Sequence, residues 1–62
     1  MAIKIHEHGH IATFYDQETG VLWQQDLRDY RKPVECAEGA WPTLEAAVEA
    51  FFDCKVKWPS RS

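Results

Sequence analysis

Apolar and polar side chains alternate from the start of the chain. Over residues 1–7, Ile3 and Ile5 stand between Lys4 and His6, the two-residue period of a half-buried strand. His8-Gly9 offers a turn, and residues 10–15 that follow (HIATFY) are rich in the β-branched and aromatic side chains that suit a pleated surface. The run Asp16-Gln17-Glu18-Thr19-Gly20 opens on Asp and closes on Gly, a turn signature, and residues 21–27 supply a third strand. Connections this short join antiparallel neighbours, so the three strands predict a meander.

Residues 28–33 (RDYRKP) read as a charged loop or a short helical turn stopped by Pro33. Residues 34–37 (VECA) read as a short fourth edge strand or as extended chain crossing the sheet. Past Pro42 the period changes. Thr43 can cap a helix through its hydroxyl, and Glu45 in the first turn suits the positive end of the helix dipole. With successive residues 100° apart, Leu44, Val48 and Phe51 form one apolar stripe, flanked by Ala47, Phe52 and Cys54. Glu45, Glu49 and Asp53 share the wet side, and Pro59 ends any continuation. The expected architecture is α+β: a three-stranded antiparallel sheet, with a short fourth edge strand as an option, and one C-terminal helix on one face. Residues 1–58 make one domain, and residues 59–62 a flexible tail.

One short helix covers one face of such a sheet, and the count of large rings makes this a functional matter. The chain holds 62 residues with eight aromatics: Phe14, Tyr15, Trp23, Tyr30, Trp41, Phe51, Phe52 and Trp58. A core of this size takes four or five of them, because a domain this small buries only ~60% of its unfolded surface. The rest stay outside, where a contiguous apolar patch marks a binding surface. The expectation is a protein-binding module that docks through the uncovered sheet face with Phe14, Tyr15 and Trp23, and with Arg28, Tyr30 and Arg31 at its rim. Self-association through the same face, giving a homodimer, is a close relative of this reading.

Composition removes several classes and leaves others. With 45% hydrophobic and 27% charged residues the chain is ordinary globular material, and a net charge of −3 has the wrong sign for an unspecific DNA coat. The apolar runs are too short for a membrane span, and the first residues lack a secretory leader, so a cytoplasmic location is expected. Cys36 and Cys54 are too few for a disulfide framework and read as free thiols. No cofactor is expected. Catalysis is not expected either: the only serines, Ser60 and Ser62, lie in the tail, and Gly9, Gly20 and Gly39 are too scattered for a phosphate loop. Cys36 with His6 or His10 is the one imaginable nucleophile pair.

Two other constellations carry chemistry. Arg28, Arg31 and Lys32 around Tyr30, together with Lys55, Lys57 and Arg61 around Trp58, combine phosphate-binding cations with stacking rings, the mixture of a nucleic-acid groove. His6, His8 and His10 alternate along the first hairpin, and His-x-His on a strand can present two imidazoles to a metal, the third joining only if the segment stays extended.

The succession of Gly9, Phe14-Tyr15-Asp16, Thr19-Gly20 and Thr43-Leu44-Glu45-Ala46-Ala47, spanning about residues 8–52, resembles the small arm-binding domains of phage-type integrases. It is similar as well to the antitoxin half of small toxin–antitoxin pairs. The first resemblance implies a sheet that enters the DNA major groove. The residues that would read bases are missing here, since no Lys or Arg stands between His10 and Leu27. Size and this likeness together imply a small phage or mobile-element protein that inhibits a host machine by occupying its surface, in the manner of an anti-CRISPR or anti-restriction protein.

Overall fold

The computed structural model describes residues 1–59; the end of the expected tail, Arg61 included, lies outside the described residues. Strands β1 (Ala2–His8), β2 (Ile11–Asp16), β3 (Leu22–Asp26) and β4 (Glu35–Cys36) precede one helix, α1 (Leu44–Phe52). They form a four-stranded antiparallel sheet in the order β1-β2-β3-β4, so the meander and the fourth edge strand are both present. Pro59, expected in the tail, lines a recess with Lys32, Pro33, Val34, Glu35 and Cys36.

Cross-strand pairs assign each side chain to a face. Ile3, Tyr15 and Leu22 form one row, and His6, Thr13, Gln24 and Glu35 the next row on the same side. Lys4, Phe14, Trp23 and Cys36 form a row on the opposite side. The helix lies over the first side: Tyr15, Leu22, Ala37 and Ala47 are buried together, with Ile5, Trp41, Leu44, Phe51, Val56 and Trp58 packed around them. Four of the eight aromatics thus enter this core. Leu22 is fully buried, which is worth about 1.5–3 kcal/mol over leaving it exposed. Thr13 and Gln24 are buried here too and satisfy one another, the Gln24 amide donating to Thr13 Oγ1 at 3.0 Å.

The helix begins as expected. Thr43 is extended, and its Oγ1 accepts from the Ala46 N–H at 3.1 Å. Its inward seam differs from the expected stripe: the position wholly buried is Ala47, while Phe52 and Cys54 are exposed. A small side chain at the closest approach lets the helix lie near Tyr15 and Leu22. The helix ends in a Schellman arrangement, with Lys55 N–H donating to Ala50 O at 2.9 Å and Cys54 N–H to Phe51 O at 3.2 Å. Cys54 takes the left-handed conformation this requires (φ 58°), an uncommon one for a non-glycine residue.

Strict alternation fails once, and the failure matters. Lys4 pairs with Phe14 and His6 with Thr13, so Ile5 is an extra residue in a bulge. The bulge brings His6 to the helix side, although alternation from Ile3 assigns it to the other. There its ring centroid lies 5.3 Å from that of Phe51 and 5.4 Å from that of Phe52.

The molecule measures 30 × 28 × 19 Å. Among the described residues α1 is the one helix, and on the sheet face opposite it Lys4, Glu7 and Cys36 are exposed and Phe14 and Trp23 half-buried, while Ala12 is buried.

Candidate docking face and loop cleft

On the uncovered face, Phe14 of β2 and Trp23 of β3 stand directly opposite one another in the ladder. Their rings stack, with centroids 4.3 Å apart and planes 15° from parallel. Such a pair contributes about 0.5–1.5 kcal/mol beyond its buried area. Both rings are half-buried, so each fixes the other while their outer surfaces meet solvent. Lys4 continues the row on β1 and Cys36, an exposed thiol, on β4. Lys4 Nζ holds Glu7 Oε1 at 2.8 Å, and this ammonium keeps the Glu7 carboxyl below its ordinary range. Val34, two residues before Cys36, is 47% exposed and opens on the recess of about 410 Å³ beside Pro33 and Pro59.

Tyr15 does not belong to this face. It is 2% exposed, lies under the helix, and donates its hydroxyl proton to Trp41 O at 2.7 Å. Phe14 and Tyr15 are adjacent, and adjacent strand residues point to opposite faces, so only one of them can face a partner. The expected rim residues belong to a loop. Arg28, Tyr30 and Arg31 are exposed on the loop between β3 and β4, past the end of the strand. Two strand residues, Gln24 and Gln25, stand between Trp23 and Asp26, so the loop begins about 10 Å along the strand from the stacked pair at ~3.3 Å per residue.

Asp26 organises that loop. Its Oδ1 accepts from the Arg28 N–H at 2.8 Å and from the Asp29 N–H at 3.3 Å. The first of these bonds is the main reason its carboxyl titrates below the ordinary Asp range; partial burial opposes it, and nearby His10 adds to it. Its Oδ2 faces Lys32 Nζ at 3.6 Å and His10 Nε2 at 3.9 Å. Asp29 repeats the device, with Oδ1 accepting from the Arg31 N–H at 3.1 Å and from Arg31 Nε at 3.4 Å. Of the three phosphate-binding cations expected in this loop, Arg31 is therefore paired with Asp29 and Lys32 with Asp26. Lys55 and Lys57 are exposed beyond the helix.

The three histidines do not converge. His6 and His8 lie parallel on the helix side of β1, ring centroids 6.4 Å apart, while His10 turns across the hairpin toward Asp26. Gly9 makes that turn in the left-handed region (φ 61°). Among the described residues no group of three or more His, Cys, Asp or Glu side chains is placed to hold a metal ion. The imagined nucleophile pair fails as well, because Cys36 stands on the open face and His6 and the Asp26-directed His10 on the helix side. No helix among the described residues is long and apolar enough to cross a membrane.

A feature that linear reading missed is a polar cleft where the loop closes over the end of the sheet. His10, Gln24, Asp26, Lys32 and Glu35 line it, with Ile11 and Pro33 as apolar walls, and it encloses about 170 Å³. The only linear trace of it is Asp26 with two backbone N–H groups in reach downstream, an Asx-type turn signal. Compared with family models, with curated proteins and with solved structures, the chain matches none of them.

Proposed function

We propose that this chain is a non-enzymatic protein-binding module that docks through the sheet face opposite its helix, with the stacked Phe14–Trp23 pair at the centre. The observation that carries this is a stacked aromatic pair held on the sheet face that no helix among the described residues covers. Trp, Tyr and Arg dominate interface energies, and rings already locked against each other lose little freedom on binding. The Lys4–Glu7 ion pair gives the patch a polar border. The strands hold 7, 6, 5 and 2 residues, which at ~3.3 Å rise and ~4.8 Å spacing present roughly 300 Å² in projection, less than half of the ~800 Å² each partner gives to a standard interface. The contact therefore extends past Cys36 onto Val34 and the Pro33–Pro59 recess. Its mode of action is occupation of a partner's surface, as an inhibitor from a phage or mobile element would act.

The test compares tagged wild type with Trp23→Ala, both expressed in the cells that make the protein, after circular dichroism has verified equal folding. Wild type should capture a stoichiometric partner that the variant loses, and the purified partner should repeat the difference. Equal capture by both proteins refutes the sheet-face reading. Sedimentation of wild type alone separates the homodimer: a Trp23-dependent doubling of mass makes the partner a second copy.

A further inference from the structure

We infer that the protein forms a two-fold dimer through the outer edge of β1, the two copies pairing this strand antiparallel with Lys4 of one opposite Glu7 of the other. At seven residues β1 is the longest strand, and it ends the sheet order, with β2 on one side and no strand among the described residues on the other. Such an edge offers a row of main-chain donors and acceptors to another strand. The bulge decides which strand fits. Under plain alternation Lys4 and Glu7 would point to opposite faces. With Ile5 inserted, Lys4 pairs with Phe14 and Glu7 with Ala12, both on the face away from the helix. Ile3 and His8, which pair with Tyr15 and Ile11, lie on the helix side, as do Ile5 and His6. Over residues 3–8 the assignment to faces is therefore symmetric about the bond between Ile5 and His6.

Two-fold pairing needs that symmetry, because residues opposite one another in antiparallel strands share a face. Centred on the Ile5–His6 bond, every pair matches: Lys4 with Glu7, Ile3 with His8, Ile5 with His6. Centred on Ile5 or on His6, Lys4 would meet His6 or His8 from the wrong face. Charge agrees with phase, since the matching register sets an ammonium opposite a carboxylate twice. Within one copy Lys4 Nζ already holds Glu7 Oε1 at 2.8 Å. The edge is thus neutral toward a second copy, and in the dimer the two ion pairs join as an alternating square of four charges. On the helix side the edge is bordered by Phe52, 56% exposed, with its ring centroid 5.4 Å from that of His6. This ring stands beside the two-fold axis, where a second copy covers it. An axis normal to the sheet keeps both helices on one side. The two Phe14–Trp23 faces then form one surface of roughly 600 Å² in projection, twice that of one copy, against the ~800 Å² each partner gives to a standard interface.

The experiment is sedimentation equilibrium of the full chain over a range of concentrations, with circular dichroism to verify the folding of each variant. Wild type should show a monomer–dimer equilibrium, and backbone amides within residues 3–8 should exchange more slowly as concentration rises. Lys4→Glu sets carboxylate against carboxylate at both ends of the paired strands, and Glu7→Lys sets ammonium against ammonium. Each should weaken the dimer about tenfold or more. Mixed in equal amounts, the two variants should associate again as a heterodimer, since every opposed pair then joins unlike charges. Opposed ion pairs also make the wild-type dimer weaker in high salt, a measurement that stands if either variant fails to fold. A monomer at every concentration, undiminished association of the single variants, no recovery in the mixture, or a dimer strengthened by salt overturns the inference. Trp23→Ala should leave this dimer intact while abolishing partner capture, so the edge pairing and the docking reading fail separately. A mass doubling lost in Trp23→Ala belongs to the sheet face and overturns the edge pairing.

Discussion

The most discriminating perturbation of the fold is a single methyl group at Gly20. Gly20 sits in the left-handed region (φ 77°), and a Cβ built on it would lie 2.6 Å from Trp41 O. That carbonyl is anchored from two directions: it accepts the Tyr15 hydroxyl at 2.7 Å, and the N–H of the same residue donates to Gly20 O at 2.8 Å. This clamp fixes the chain immediately before Pro42 and the Thr43 cap, and so sets where the helix enters. Gly9 has a similar conformation (φ 61°), but a Cβ there meets nothing within 4 Å. Gly9→Ala therefore measures the backbone term alone, about 1–2 kcal/mol for a left-handed L-residue, less the ~0.4–1 kcal/mol returned by a stiffer unfolded chain.

Gly20→Ala adds the collision. To restore ordinary contact Trp41 must retreat by roughly 0.9 Å, since unstrained heavy-atom contacts begin at ~3.5 Å. That movement stretches both bonds of the clamp, each worth ~0.5–1.5 kcal/mol and more where a buried hydroxyl loses its partner. We expect a loss of about 1 kcal/mol for Gly9→Ala and about 3–4 kcal/mol for Gly20→Ala. A domain of this size has only ~3–9 kcal/mol in hand, so the second variant should be largely unfolded at modest urea. Urea unfolding followed by tryptophan fluorescence and circular dichroism measures both. If the two variants agree within about 0.5 kcal/mol, the close approach at Trp41 does not support the fold and the reasoning is wrong.

Two further outcomes follow from local geometry. Cys54→Gly should raise stability by about 0.5–1 kcal/mol, because glycine fits the φ of 58° without steric cost while the Schellman bonds remain; an unchanged or lower unfolding midpoint would count against it. Acid should unfold the protein through Asp26, Asp16 and Glu7, whose carboxyls are held below their ordinary ranges first by the Arg28 N–H, the Glu18 N–H and the Lys4 ammonium respectively. A depressed folded-state value means the stabilisation is complete above the unfolded value near ~4 and is lost as pH falls through the lower folded value. Stability should thus be flat from these groups above about pH 5 and fall below about pH 4, with a shallower acid slope in Asp26→Asn. An equal slope in that variant removes Asp26 from the account.

Much of the fold was legible in linear order. The alternation of Ile3 and Ile5, the Asp-to-Gly turn before Val21 and the Thr43 cap each rest on forces acting within a few residues, and each element stands where they put it. The aromatic surplus was legible too, because counting rings against the area one helix can cover needs no coordinates. What could not be read was phase. One bulged residue, Ile5, reverses the assignment of His6, and its cause is the pairing of β1 with β2 rather than anything in residues 1–7.

The sequence alone therefore determined the elements, their order and the presence of an uncovered apolar face. Only tertiary structure decided which face. The helix lies on the Tyr15–Leu22 side because Ala47 lets it approach there and the Tyr15 hydroxyl finds Trp41 O. That choice leaves Phe14 and Trp23 on the opposite face, and the loop after β3 folds over Asp26 into a cleft. Local propensity acts over a few residues. Facing, register and enclosure depend on contacts between segments distant in the chain, such as the 26 positions between Tyr15 and Trp41.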